Sequence, residues 1–338
     1  MPDRQLEVVH LKKDFPLRRS FGGRLRGQRV EVVKAVDDVD LAVAKGEVHG
    51  LVGETGCGKS TLARCIAGLH QPTAGEIKVD GRVLSGRKQR EISRRIQMVF
   101  QDPYSSLNPR MTVAQTVGEI LRVLRKTPRA QLEGRVLETL NLVGFPLALA
   151  NVYPRQLSGG LRQRVSIARA IAAEPDILLA DEAVSALDVS VQATILNLLV
   201  DLRQQLGLTI LLITHDMAVV RHVSDKVAVM YLGRIVEHGA AESVFGDPRH
   251  PYSQGLISAV PRLRPGLGMH EPAVLGDPPS PIRLPSGCRY HPRCPLCADV
   301  CRSETPALRS IGENGLHEAA CHFAETTGGM AALAKAER

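Results

Sequence analysis

Residues 48–60 read Val48-His49-Gly50-Leu51-Val52-Gly53-Glu54-Thr55-Gly56-Cys57-Gly58-Lys59-Ser60. A short apolar run, Val48 to Val52, leads into a glycine-rich turn, and from Ser60 to Leu69 the apolar residues take helical spacing. Strand, glycine loop and helix form the context that G-x-x-x-x-G-K-[ST] needs to surround phosphate groups. The glycines let backbone N–H groups approach, Lys59 neutralises the β/γ oxygens and Ser60 is placed to ligate Mg²⁺. The helix that starts there adds its positive N-terminal end. Cys57 has no neighbour that would make it a nucleophile and reads as a small filler.

Working outward, Ile96–Phe100, Ile177–Ala180 and Thr209–Ile213 are further buried-strand candidates. Strands alternating with helices imply a mainly parallel sheet. Leu6–Lys13 and Val30–Val43 alternate β-branched with polar residues, which predicts antiparallel strands at a sheet edge, separated by the Gly- and Arg-rich loop Arg18–Gln28. Thr112–Gly144 is helical in pattern, with Val117, Ile120, Leu121 and Leu124 on one face. After Gly246, proline is frequent through Pro285, cysteines crowd between Cys288 and Cys321, and an Ala- and Gly-rich tail from Thr326 predicts a frayed end. The expected fold is α/β: a P-loop NTPase core with a mainly parallel sheet, an antiparallel β edge subdomain and a helical insertion over roughly 102–165, all within 1–246. A Cys-rich C-terminal extension, 247–338, follows.

Bulk properties narrow the function. Hydrophobic residues at 44% and charged residues at 23% are ordinary globular usage. No apolar run approaches the ~20 residues that span a bilayer, and Met1–Lys13 carries charge where a secretory signal needs an apolar stretch. A cytoplasmic chain, held to a membrane only by partners, is expected. The net charge of +8 includes the basic runs Arg24-Leu25-Arg26 and Arg87-Lys88-Gln89-Arg90. These read as solvated surface, with nucleic acid, anionic lipid or nucleotide as alternatives.

A second constellation completes the chemistry. Ile177-Leu178-Leu179-Ala180-Asp181-Glu182 is an apolar strand ending in two carboxylates. Asp181 suits the Mg²⁺ shell, and Glu182 can polarise an attacking water. His215 follows the apolar strand Ile210–Ile213, where its side chain would face a γ-phosphate.

Leu157-Ser158-Gly159-Gly160-Leu161-Arg162-Gln163-Arg164 resembles the signature motif of ABC ATPases. Gln101 resembles the Q-loop, Ser185-Ala186-Leu187-Asp188 the D-loop and His215 the switch histidine of that family. The resemblance implies an ATPase whose two subunits pair head to tail. Each P-loop nucleotide, held by Gly53, Glu54, Thr55, Gly56, Cys57, Gly58, Lys59, Ser60 and Thr61, is then closed by the other subunit's signature. Ser158, Gly159 and Gly160 would reach the partner's γ-phosphate, and Asp188 would lie at the shared interface. Mg²⁺ would be held through Ser60, Gln101 and Asp181, with Glu182 and His215 catalytic. Gln101 would also couple to membrane subunits through the helical insertion. Phe15 occupies the place of the adenine-stacking aromatic, and reads otherwise as a core aromatic on an edge strand. Leu161 stands where Gln is usual, and Ala183 replaces the usual Pro; a hydrolysis-competent site is still expected at this chain's own P-loop.

Asp188-Val189-Ser190-Val191-Gln192, His250-Pro251-Tyr252-Ser253-Gln254 and Pro285-Ser286-Gly287-Cys288 resemble the oligopeptide/dipeptide importer branch, which also takes up nickel and related solutes. That implies two transmembrane permease subunits, a second ATPase that is a paralogue rather than a copy, and, indirectly, an extracytoplasmic solute-binding protein. The chain would sit peripherally on the cytoplasmic face of the inner membrane, with no nucleic acid partner. Five of the seven cysteines read C-x5-C-x2-C-x3-C followed by Cys321-His322, a grouping that suits an iron–sulfur cluster or zinc. By resemblance Cys288, Cys294, Cys301 and Cys321 would hold a structural [4Fe–4S] cluster, leaving Cys297 over. Zinc through a subset with His291 or His322, and a metal-free thiol cluster, remain open. Two other classes compete: a soluble ABC protein of DNA repair or the ribosome, and a nucleotide sensor. The first usually carries two modules or a coiled-coil insertion, and the second has no need of Glu182.

Overall fold

The computed structural model describes residues 4–17, 30–84, 89–185, 187–260, 276–312 and 316–326. The whole loop Arg18–Gln28 with its basic run, Arg87, Lys88, Ala186 and the tail after residue 326 lie outside the described residues, as do the side chains of Gln89 and Arg90. The first strands are β1 (Arg4–Pro16), β2 (Val32–Ala44), β3 (Val48–Val52), β4 (Ala74–Val79), β5 (Arg82–Val83) and β6 (Ile96–Val99). They are followed by β7 (Ile177–Asp181), β8 (Thr209–Thr214), β9 (Lys226–Tyr231), β10 (Arg234–Ala240), β11 (Arg309–Ile311) and β12 (His317–Ala319).

The main sheet has the order β11-β12-β10-β9-β3-β8-β7-β6. From β9 to β6 its neighbours are parallel, while β10, β12 and β11 add an antiparallel margin. Every residue of β3, β7 and β8 is buried, as expected of parallel strands covered on both faces. β1 and β2 do pair antiparallel, but in a sheet of their own, ordered β2-β1-β4-β5. The reason is visible in their alternation: Leu6, Val8, Leu11, Val36, Val39 and Val43 form one buried face, packed with Leu62 and Ile66 of the helix Lys59–Ile66. That helix therefore lies between the two sheets, and its first residues face the carboxyl ends of the parallel strands.

The inserted segment contains the helices Val113–Val123 and Arg129–Leu142. Thr112 and Gln115 close the first with a reciprocal capping box. Of its expected apolar face, Val117 and Leu121 are fully buried and Ile120 partly so.

Past residue 246 the chain returns to the core. Tyr252, on the helix Pro251–Ser258, and Tyr290 pack with Tyr231 of β9, all three fully buried with ring centroids 4.6–5.5 Å apart. Buried Glu237 of β10 ties the same region down through its carboxylate, which accepts from the Arg249 and His250 N–H groups and from His317 Nε2 of β12. A buried carboxylate persists only when so satisfied.

His250 is itself buried, and its Nδ1 accepts the Tyr252 N–H at 3.1 Å, capping the helix. Burial pulls its pKa down from 6.5 to about 4. The folded value lies below the unfolded one, so the stability this neutral ring contributes is complete above about pH 6.5 and is lost as pH falls towards about 4. The loss across that window is about 3 kcal/mol. His250→Asn keeps a capping acceptor without the titration, so urea unfolding followed from neutral pH into that window should fall less steeply in the variant. Equal slopes in both proteins would remove His250 as the cause.

Candidate nucleotide site

The loop after β3 is shaped by two glycines with no room for a side chain. A Cβ on Gly53, at φ +152, would lie 2.2 Å from the Met230 carbonyl oxygen; one on Gly58, at φ +112, would lie 2.1 Å from that of Ala35. Both positions also have a backbone that L side chains rarely adopt. The helix Lys59–Ile66 starts directly from Gly58 without a side-chain cap, so its first N–H groups stay available to an anion. Lys59 is 4% exposed and its Nζ donates to the Gly53 carbonyl at 2.6 Å and the Glu54 carbonyl at 2.9 Å. Its ammonium is thus folded back over the loop. Thr55 and Gly56 are exposed and Thr61 is partly so. Cys57 is buried, and burial pushes its thiol above the ordinary range.

Three strand ends converge on this loop. Ser60 Oγ donates to Asp181 Oδ1 at 2.8 Å, joining the P-loop helix to the end of β7. Asp181 is 4% exposed, and burial raises its pKa against the Ser60 hydrogen bond. A hydroxyl and a buried carboxylate make a hard, oxygen-only pair of the kind Mg²⁺ takes. The next residue, Glu182, has φ +47, and its N–H donates to the Ile213 carbonyl of β8 at 2.8 Å. His215, just past β8, brings Nδ1 to 3.4 Å from Glu182 Oε1. Lys59, Ser60, Asp181, Glu182 and His215 therefore collect at the carboxyl ends of β3, β7 and β8, where open α/β sheets bind ligands.

The remaining candidates are carried by other elements. Phe15 on β1 is half-buried, edge-on to His70 at 5.5 Å, with Lys13 Nζ 4.9 Å from its ring centre. Gln101 is exposed after β6. Ser158 is exposed and caps the helix Gly159–Ile171, its side chain accepting from the Leu161 N–H. Gly160 abuts Val191, where a Cβ would lie 2.7 Å from Cγ1. Asp188 is exposed at the start of the helix Val189–Leu206. Among the described residues no hydrogen bond or ion pair joins Ser158, Gly159, Gly160 or Asp188 to the P-loop.

The C-terminal cysteines divide as well. Cys288, Cys294, Cys301 and Cys321 line one small cavity with His291 and His322, whereas Cys297 is outside it. Among the described residues no three His, Cys, Asp or Glu side chains converge to hold a single metal ion. Burial raises the thiol pKa values of Cys288, of Cys294 to about 12 and of Cys321 to about 11, so a metal would have to displace the protons of these three. Two contacts from this region to the P-loop had no expectation in the sequence: the Glu54 N–H donates to Tyr252 Oη at 2.8 Å, and Arg293 pairs with the Glu54 carboxylate at 2.7 and 2.9 Å.

Residues 36–185 match the ABC transporter family, and residues 236–301 match the family described as the oligopeptide/dipeptide transporter C-terminal region. A probable peptide ABC transporter ATP-binding protein of Sinorhizobium fredii is 46% identical over 95% of this chain and 90% of its own length. The chain belongs to the ABC transporter ATP-binding proteins. A putative peptide import ATP-binding protein of Brucella abortus is 47% identical over 93% of this chain and 92% of its own. Among solved structures of ABC proteins, cbiO1 from Clostridium perfringens, part of the ABC transporter complex cbiONQ, aligns with a TM-score of 0.62 at 30% identity, covering 72% of this chain and 92% of that one. A dimeric ATP-binding cassette in a post-hydrolysis state, bound to ADP and Pi, aligns with a TM-score of 0.61 at 29% identity, covering 70% and 98%.

Two departures from the usual ABC pattern are accommodated locally. Leu161, in place of Gln, is partly buried against the core cluster of the helical insertion. Ala183 is 2% exposed and, unlike proline, places no restriction on the backbone of Glu182. Among the described residues of this ABC protein, no helix is long and apolar enough to cross a membrane.

Proposed function

We propose that this chain is the ATP-hydrolysing subunit that energises a membrane importer of oligopeptides, dipeptides or related solutes. The observation that carries the reading is the meeting of Lys59, Ser60, Asp181, Glu182 and His215 at three adjacent strand ends, in a chain whose residues 236–301 match the oligopeptide/dipeptide transporter C-terminal region. Residues 1–246 form the nucleotide-binding unit and 247–338 the extension.

The loop Gly53–Thr61 surrounds the phosphates through its backbone N–H groups other than that of Glu54, and Lys59 exchanges its two carbonyl partners for β/γ oxygens. Phe15 supports the adenine. Ser60, Asp181 and Gln101 hold Mg²⁺, whose charge neutralises the phosphate oxygens. Glu182 takes the proton of the attacking water, and His215, within reach of its carboxylate, fixes the orientation of both carboxylate and γ-phosphate. Most of the rate enhancement comes from position and electrostatics. Ser158 and the Gly159 and Gly160 amides lie at an exposed helix N-terminus and serve the nucleotide of a second ATPase subunit, a paralogue, with Asp188 at the shared interface. Closure of that dimer on ATP drives two permease subunits through the helical insertion and Gln101, on the cytoplasmic face of the membrane. A solute-binding protein delivers the cargo outside.

Cys288, Cys294, Cys301 and Cys321 hold a structural [4Fe–4S] cluster. The support for this is the meeting of four thiols around one small cavity, a donor set that suits iron–sulfur clusters and zinc alike. Glu182→Gln should retain ATP, lower turnover by about 100-fold or more and accumulate the closed dimer; wild-type turnover in that variant would refute the assigned role. Anaerobically purified protein should contain about four iron and four sulfide per chain, and Cys294→Ser should lose both. Stoichiometric zinc without sulfide would establish the alternative.

A further inference from the structure

Glu54 is held at three points, two of them from outside the nucleotide-binding unit. Its N–H donates to Tyr252 Oη at 2.8 Å, and its carboxylate takes a bidentate pair from Arg293 at 2.7 and 2.9 Å. Its carbonyl accepts from Lys59 Nζ at 2.9 Å. The holders are rigid. Tyr252 is fully buried in the tyrosine trio. The Arg293 side chain is 5% exposed, its Nη2 also donates to the Gly276 carbonyl, and its guanidinium lies 5.9 and 6.0 Å from the ring centres of Tyr231 and Tyr290. Arg293 itself sits between Cys288 and Cys294, on a turn where the Arg293 N–H donates to the Tyr290 carbonyl. The position of this turn thus reaches the P-loop through one side chain.

The chemistry at Glu54 explains why such a restraint acts on nucleotide affinity. The loop must accept a polyanion, and it carries a carboxylate of its own. A bidentate guanidinium neutralises that carboxylate and turns it towards the extension. The same residue's carbonyl is one of the two that Lys59 must release to reach phosphate, so a shift of Glu54 also moves the resting place of Lys59. We propose that Arg293 and Tyr252 are positioning residues for ATP binding, through which the C-terminal extension sets the conformation and charge of the P-loop. They act through their contacts with Glu54; the inference rests on the P-loop reading given above.

The test is a double-mutant cycle on the full-length chain, with MgATP affinity from titration calorimetry and KM and kcat from steady-state hydrolysis. Arg293→Met is expected to raise the ATP Kd and KM about tenfold, with kcat at saturation changed less than about twofold. In a Glu54→Gln background the same substitution should raise Kd less than about twofold, because the charge it leaves unpaired is gone. An equal rise in both backgrounds, or no rise in the first, would overturn the proposal. Should Arg293→Met fail to fold, Tyr252→Phe keeps the buried ring and removes only the acceptor of the Glu54 N–H. A rise in Kd of about threefold or more then supports the proposal, and an unchanged Kd overturns it. Lys59→Ala separates the two levels. If that variant binds ATP normally, the P-loop reading has failed; if it loses ATP while Arg293→Met does not, only the positioning role has.

Discussion

A polyanion can be surrounded by backbone N–H groups only if the backbone comes close, and that requirement fixes the structure around Gly53 and Gly58. Each glycine is pressed against a carbonyl of another element, Met230 at the end of β9 and Ala35 in β2. The loop is therefore a fitted part held between the parallel sheet and the smaller antiparallel one. β3 must be buried from end to end to aim it, and the helix Lys59–Ile66 must pack between the sheets to present its first turn. Ser60 then meets Asp181 from the neighbouring half of the sheet, so the strand order β3-β8-β7 brings Asp181, Glu182 and His215 to the loop.

Much of this was legible because the determinants are local. The glycine loop, the apolar strands ending at Asp181 and His215, and the capped helix at Ser158 each declare themselves within about ten residues. The antiparallel pairing of β1 with β2 could be read from alternation, but not the sheet it belongs to, because β4 and β5 are short and largely exposed and show little pattern. The β9–β10 hairpin has one local sign in the sequence, a glycine between two apolar runs: Leu232 and Gly233 both take positive φ in its tight turn. β11 and β12 have three residues each and exist only by pairing, β12 with β10 and β11 with β12. No periodicity can announce elements of that length.

The contacts of Tyr252 and Arg293 with Glu54 span 198 and 239 residues of sequence. Neither partner carries a local sign of the pairing, since a tyrosine after His-Pro and an arginine before a cysteine have many uses. What the sequence could offer was composition, a proline-rich stretch followed by cysteines, which suggested an appendage. The physics differs: buried Glu237, the tyrosine trio and the antiparallel margin of the sheet bind the extension into the same core that aims the P-loop.

The central claim is that this ATPase works as part of a membrane importer, and its physical partners test that most directly. The tagged chain would be affinity-purified from detergent-solubilised native membranes and its partners identified by mass spectrometry. Two polytopic permease subunits together with a second, non-identical ATPase are the expected recovery. Ribosomal or DNA-repair proteins in their place would contradict the account.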